Sequence, residues 1–263
     1  LLLARAGARV TLLERVERPR AVGAGIGLAD NGLAVLESLG LGPALAAVAR
    51  PVGAARIVDG AGRTIFAPPE PSPRVWMVRR SDLQSALLHA LPPVRTGMRL
   101  EALTQDPSGV DLKFADGTTE RAAVVIGADG LRSVVREALL GPAAPRYSGQ
   151  TAYRGLAPLA VADPGMMQET QAAGWRGAVH PLDSEHVYWW VARPAPPGVR
   201  GTPEQHKRTV LRGVADWSGG LPQAVRATPA DAILCNDLYD RDPVPRWSAG
   251  RVTLLGDAAH PTT

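Results

Sequence analysis

Hydrophobic positions in this chain gather into three short runs rich in Val, Ile and Leu, residues 8–13, 122–126 and 251–255, each ending on or just before an acid: Glu14, Asp129 and Asp257. Runs of this kind predict parallel strands buried on both faces, and an open parallel sheet binds its ligands at the carboxyl ends of its strands. Three carboxylates at one sheet edge point to a hydroxyl-rich ligand. Between the runs the pattern changes character. Residues 109–116 alternate like a hairpin strand, with Asp116-Gly117 as the turn signal. From about residue 146 to 240 the chain is richer in Trp, Pro and short β-like runs such as Val187-Tyr188-Trp189-Trp190-Val191. The Pro-rich stretch 193–203 reads as an exposed connection, and there are no internal repeats. The pattern therefore predicts an α/β fold: a Rossmann-like domain with a parallel sheet over 1–145, a β-rich domain over 146–245, and a return to the first domain over 246–263.

The second and third runs continue into turns that narrow the ligand. Gly127-Ala128-Asp129-Gly130-Leu131-Arg132-Ser133-Val134-Val135-Arg136 and Gly256-Asp257-Ala258-Ala259-His260-Pro261 both set Gly beside Asp where a strand is expected to turn into a helix. Glycine lets the backbone approach a ligand closely, and a helix N-terminus offers free N–H donors and positive partial charge to phosphate. A carboxylate there accepts hydrogen bonds from sugar-type hydroxyls. The two segments closely resemble the downstream fingerprints of the single-component FAD-dependent aromatic hydroxylases, the flavoprotein monooxygenases related to p-hydroxybenzoate and salicylate hydroxylases. The resemblance implies that residues 1–145 are an FAD-binding domain and 146–245 a substrate domain. It also implies that Gly127, Asp129, Gly130 and Arg132 serve FAD and the nicotinamide dinucleotide, and that Gly256 and Asp257 hold the ribityl chain.

Glu14 then stands where such proteins carry the acid for the adenosine ribose, about 20 residues after a Gly-rich phosphate loop. Leu1-Leu2-Leu3-Ala4-Arg5-Ala6 reads as the tail of the helix after that loop, with Gly7 as its stop. On this reading the chain is an interior of the family, shortened at both ends, and is inactive by itself. Gly23-Ala24-Gly25-Ile26-Gly27-Leu28 follows a charged, Pro-containing stretch rather than an apolar strand, so it is not read as a phosphate loop. It resembles the Gly-rich strand that passes the flavin ring, followed by a helix over 31–39. A plain Gly-rich turn before a helix capped near Asp30 or Asn31 fits the residues equally. Val78-Arg79-Arg80-Ser81-Asp82-Leu83 resembles the family's helix start, whose arginine reaches FAD. Arg80 is the expected contact, with Arg79 as the alternative and Ser81 or Asp82 as the cap.

Composition sets the remaining bounds. The chain has 263 residues, 45% of them hydrophobic, enough for one large or two modest domains. No run approaches the roughly 18 apolar residues of a membrane span, and no charged-then-apolar signal segment occurs within residues 1–263, a start shortened as above being able to hide one. A single cysteine, Cys235, excludes an internal disulfide and suits a cytoplasmic protein. The net charge of +4 is carried by scattered arginines, Lys113 and Lys207 being the only lysines, which favours dinucleotide phosphates over a nucleic-acid partner. The five histidines lack metal-ligand spacing.

The resemblance supplies the chemistry. NADH or NADPH reduces FAD, dioxygen adds to give a flavin hydroperoxide, and one oxygen atom passes to an aromatic or polyketide-like small molecule. No nucleophile, triad or metal is needed. His180, ahead of Pro181, is the candidate to take a phenolic proton, against a surface or structural histidine. His260 reads as a packing and orienting residue. Tyr188 to Pro194 is similar to the Trp motif of flavin-dependent halogenases, but its two tryptophans are adjacent and no Ile-Pro follows, so a core strand is preferred. Two other functions stay open: a flavin-dependent reductase or dehydrogenase without oxygen transfer, and a non-catalytic flavin-binding remnant.

Overall fold

The computed structural model describes residues 1–18, 24–69, 74–159 and 165–263. The chain divides into two compact units. One comprises Leu1–Arg9, Arg20–Leu91 and Gly149–Asp237; the other comprises Val10–Pro19, Pro92–Ser148 and Leu238–Thr263. This division departs from the boundaries expected from the sequence, because it groups Arg20–Leu91 with the β-rich segment rather than with the rest of 1–145. No helix among the described residues is long and apolar enough to cross a membrane.

The smaller unit holds the second and third acid-ended runs and the first from Val10 onward. Leu12–Leu13 pairs in parallel with Val94–Arg95, and Val125–Gly127 pairs in parallel with Val252–Leu254. The strands are shorter than the apolar runs and lie in two separate hydrogen-bonded ladders. They nonetheless share one core, in which Val252, Leu254, Val135, Ala258 and Ala259 meet Leu13 and Val125. The expectation of burial on both faces fails: Val124 and Ile126 of the second run and Leu255 of the third remain 57%, 41% and 59% exposed, and no residue of the first run is fully buried, while Val125 packs inward. The core is completed by an antiparallel meander, Leu100–Asp106, Gly109–Phe114 and Thr119–Ala122. Val110, Leu112 and Phe114 supply its buried alternate positions. Its turn falls at Asp116-Gly117 as the sequence predicts, with Asp116 accepting from the Thr118 N–H at 2.9 Å and Gly117 at φ +85°.

The larger unit is built on a seven-stranded sheet in the order Leu234–Asp240, Arg146–Pro158, His186–Pro194, Trp175–Pro181, Met166–Ala172, Ala54–Asp59, Thr64–Phe66. Strand alternation splits the Tyr188-Trp189-Trp190 run across its two faces. On one face Val187, Trp189 and Val191 join Tyr153 and Ala157 under the helices Pro203–Gly213 and Leu221–Ala227, which contribute Val210, Leu221, Ala224 and Val225. The Trp189 indole donates to Thr228 Oγ1 at 2.8 Å, so this large side chain is buried without an unsatisfied N–H. The Pro203 helix opens with a complete capping box between Thr202 and Gln205. The opposite face carries Tyr188 and Trp190, with His180 opposite Tyr188 and Arg154 opposite Trp190 in register.

Against Tyr188 lies the Gly-rich segment. Gly25–Ala29 is a strand, paired antiparallel with Val75–Arg79, and a Cβ on Gly25 would come 2.7 Å from Tyr188 Cγ. Its glycine is therefore required by a tyrosine ring rather than by a phosphate; Gly23 lies outside the described residues. The helix that follows is Asp30–Ser38, one residue earlier than expected, with Ala29 at its N-cap and no side-chain cap. Asp30 instead accepts from the Arg74 backbone N–H and Nε, at 3.1 and 2.9 Å.

Candidate functional site

The turn after Val125–Gly127 is held together by its own side chains. Ser133 Oγ donates to Asp129 Oδ1 at 2.5 Å, and the N–H groups of Val134 and Val135 donate to Asp129 Oδ2 at 2.8 and 3.2 Å. Ser133 Oγ in turn accepts from the Arg136 N–H at 2.8 Å, as the N-cap of the helix Val134–Leu140. Together the two side chains satisfy three N–H groups that a helix start leaves free. Gly127 permits the helix to sit close: a Cβ there would lie 2.5 Å from Val135 Cβ. Gly130, at φ +79°, has open space around it.

Inside the turn Asp129 is already heavily used as an acceptor. A carboxylate offers about four acceptor positions, and three of these are engaged inside the turn, so Asp129 chiefly shapes it. The arginines of this segment differ in placement. Arg132 is exposed and makes no hydrogen bond among the described residues. Arg136, four residues on, is buried, and its Nη1 donates to the carbonyls of Ala258 and Ala259, both at 2.9 Å. Burial, with Arg241 close by, lowers its pKa. Arg241 is also buried and donates from Nε to Leu131 O at 3.0 Å and from Nη1 to Ala143 O. Sequence reasoning missed both. No sequence signal separates Arg136 from Arg132, because the phase of so short a helix is set by what it packs on.

Arg136 thus ties the Asp129 turn to the Asp257 turn. There Leu254 leads into Gly256, at φ +59°, and a single 3-10 turn, Gly256–Ala258, rather than the helix expected. Asp257 is exposed and accepts no hydrogen bond among the described residues. His260 packs on Trp247, ring centroids 5.0 Å apart, in line with an orienting role. Glu14 is half-buried at the end of Leu12–Leu13. Its backbone bonds to Arg95 O and Met98 N at 2.9 and 2.8 Å, and Oε1 accepts from the Val16 N–H at 2.9 Å. The unit therefore presents Glu14 and Asp257 as carboxylates with acceptor capacity to spare, each at the carboxyl end of a parallel strand.

In the larger unit the two candidate arginines separate by role. Arg79 Nη2 is 2.8 Å from Asp183 Oδ2, a salt bridge that fixes its guanidinium. Asp183 also accepts from the N–H groups of Glu185 and His186. It is partly buried, and its hydrogen bonds with Arg79, Glu185 and His186 outweigh that burial and hold its carboxyl well below the usual range. Arg80 is exposed, at the first position of the helix Arg80–Ala90. Neither Ser81 nor Asp82 caps that helix; Ser81 Oγ donates to Asp82 Oδ1 instead. His180 accepts at Nε2 from Trp190 Nε1, 3.1 Å away, and its ring stacks on Tyr188. Burial pushes the His180 pKa down to about 4.

Acids at the carboxyl ends of parallel strands, two of them in Gly-Asp turns, suit a dinucleotide-binding protein. The FAD binding domain family matches residues 1–263, and the chain belongs to it, among the FAD-dependent monooxygenases of the aromatic-hydroxylase type. It is 32% identical to the aurachin C monooxygenase/isomerase of Stigmatella aurantiaca, over 99% of this chain and 70% of that protein. It is 36% identical to the 3-amino-4-hydroxybenzoate 2-monooxygenase PtmB3 of Streptomyces platensis, over 98% of this chain and 69% of that one. Among solved structures, Klebsiella pneumoniae HpxO complexed with FAD and uric acid superimposes with a TM-score of 0.89 at 25% identity, covering 99% of this chain and 69% of that one.

Proposed function

We propose that this FAD-dependent monooxygenase draws its electrons from NADH or NADPH and hydroxylates a small aromatic molecule. The overall balance is NAD(P)H, a proton, dioxygen and the aromatic substrate going to NAD(P)⁺, water and the hydroxylated product. Bound FAD supplies the redox chemistry and the activation of dioxygen. The residues of this chain bind and orient it. Asp257 is assigned to the ribityl hydroxyls with Gly256 allowing close approach, Glu14 to the adenosine ribose, and Arg80 to a further FAD contact. Gly127, Asp129, Gly130 and Arg132 form the turn along the dinucleotide, with Asp129 acting mainly through its shape. The observation that carries this reading is the contrast between the two turns: Asp129 is engaged internally, whereas Asp257 is exposed with its acceptors free. The aromatic substrate is assigned to the Tyr188 and His180 face of the larger unit. Relatives named for 3-amino-4-hydroxybenzoate, 6-hydroxynicotinate and 3-hydroxybenzoate support an aromatic acid. A cytoplasmic location belongs to the same proposal.

The test is turnover by the full-length FAD-loaded protein under ¹⁸O₂ with NADH or NADPH and a panel of aromatic acids. One ¹⁸O atom per product is expected, with NAD(P)H consumed in step. Flavin reduction by NAD(P)H with no labelled product from any panel member would restore the reductase alternative.

A further inference from the structure

His180 has an incomplete set of hydrogen bonds. An indole nitrogen only donates, so the bond from Trp190 Nε1 at 3.1 Å means that His180 Nε2 carries no proton. The ring is neutral near pH 7, since burial holds its pKa down at about 4. A neutral imidazole has one N–H, which therefore sits on Nδ1. Nδ1 is shut off from solvent and has no partner among the described residues. Buried polar groups are almost always paired, and an orphan calls for a specific partner.

The charge around it indicates the partner's sign. Burial raises the pKa of the Tyr188 hydroxyl, while Arg154 and Arg80 pull the other way. Arg176 lies over the Trp190 ring, 5.7 Å from its centroid. None of Arg80, Arg154 and Arg176 forms an ion pair among the described residues. Carboxylates on the adjoining strands are engaged elsewhere: Glu169 accepts from Gln171 at 2.9 Å and Asp59 holds Arg63 at 2.7 Å. Arg154 and Arg176, two guanidiniums outside any ion pair among the described residues, with two aromatic rings and a buried donor, make a face suited to a flat anion.

We propose that His180 donates its Nδ1–H to an anionic oxygen, carboxylate or phenolate, of a bound aromatic acid, and that Trp190 is the positioning residue that fixes the required tautomer. This rests on the assignment of the substrate to the larger unit. It replaces the sequence-based expectation of His180 as a proton acceptor, because the lone pair that would take a proton is occupied by Trp190.

The experiment uses the full-length FAD-loaded protein with benzoate as the probe. In ¹⁵N spectra of the ligand-free protein, His180 is expected as the Nδ1–H tautomer, and Trp190→Phe is expected to populate Nε2–H. Benzoate should move the Nδ1 proton downfield. By titration, His180→Phe should bind benzoate roughly tenfold more weakly or worse, and His180→Asn, which donates but is no base, should recover most of that loss. Thermal unfolding reports whether each variant is folded; were His180→Phe to unfold, the wild-type tautomer and the Trp190→Phe spectrum would decide alone. An Nε2–H tautomer in the wild type, an unchanged tautomer in Trp190→Phe, or wild-type benzoate affinity in folded His180→Phe would overturn the proposal. None of these readouts passes through oxygen transfer, so an enzyme that yields no labelled product fails the functional reading separately.

Discussion

Asp129 and Asp257 are the same side chain in similar sequence surroundings, and the hydrogen bonds around them assign different roles. Asp129 accepts from Ser133, Val134 and Val135, so Asp129→Ala should lower stability by about 1–2 kcal/mol, the cost of losing a helix cap. Asp257 accepts no hydrogen bond among the described residues, so Asp257→Ala should change stability by less than about 0.5 kcal/mol while weakening FAD roughly tenfold or more. Denaturant unfolding of the apoprotein and a flavin-release titration separate the two effects, and a reversed ranking would exchange the roles. His180 adds a pH dependence. Its folded pKa, about 4, lies below the ordinary 6.5 because of burial, so between those values the unfolded chain binds a proton that the folded chain refuses. Stability from this group is complete above pH 6.5 and falls as the pH drops toward 4. In His180→Phe the decline over that window should be shallower than in the wild type; parallel curves would mean that the ring protonates freely.

Elements are joined here by arginines that the pattern of the sequence does not expose. Arg136 reaches from the Val134–Leu140 helix to the carbonyls of Ala258 and Ala259, which links one Gly-Asp turn to the other. Arg136→Met keeps the bulk but leaves two carbonyls without their donor, so stability should fall by about 1–3 kcal/mol and FAD retention with it. Arg132→Met, on the exposed side, should stay within about 0.5 kcal/mol of the wild type. Equal losses in the two variants, measured by chemical denaturation, would sink the assignment. The sequence made the turns themselves legible, because two Gly-Asp turns follow apolar runs in order, although either alone would be an ordinary turn signal. It did not show which arginine turns inward, because helical phase over a seven-residue element is set by the strand it packs on, and Gly127 decides that approach.

At the scale of the whole molecule, the fold class was readable because the acid-ended runs and the β-rich segment carry different periodicities. The unit boundary was not. Local composition says nothing about which distant strands share a core, and the deciding contact is the Tyr188 ring, seated where a Cβ on Gly25 would stand 2.7 Å away. That contact places Gly25–Ala29 and Val75–Arg79 with the seven-stranded sheet, in one core with Tyr188 and Trp190. Gly25→Ala should therefore overpack this core at a cost of about 1–3 kcal/mol. Amide exchange should rise together in Gly25–Ala29, Val75–Arg79 and His186–Pro194, because these strands open as one cooperative body. The meander strand Gly109–Phe114, which belongs to the other unit, should keep its wild-type protection. If Gly109–Phe114 lost protection along with Gly25–Ala29 while His186–Pro194 did not, residues 1–145 would form the cooperative domain that the sequence pattern suggests, and the division by packing would be wrong.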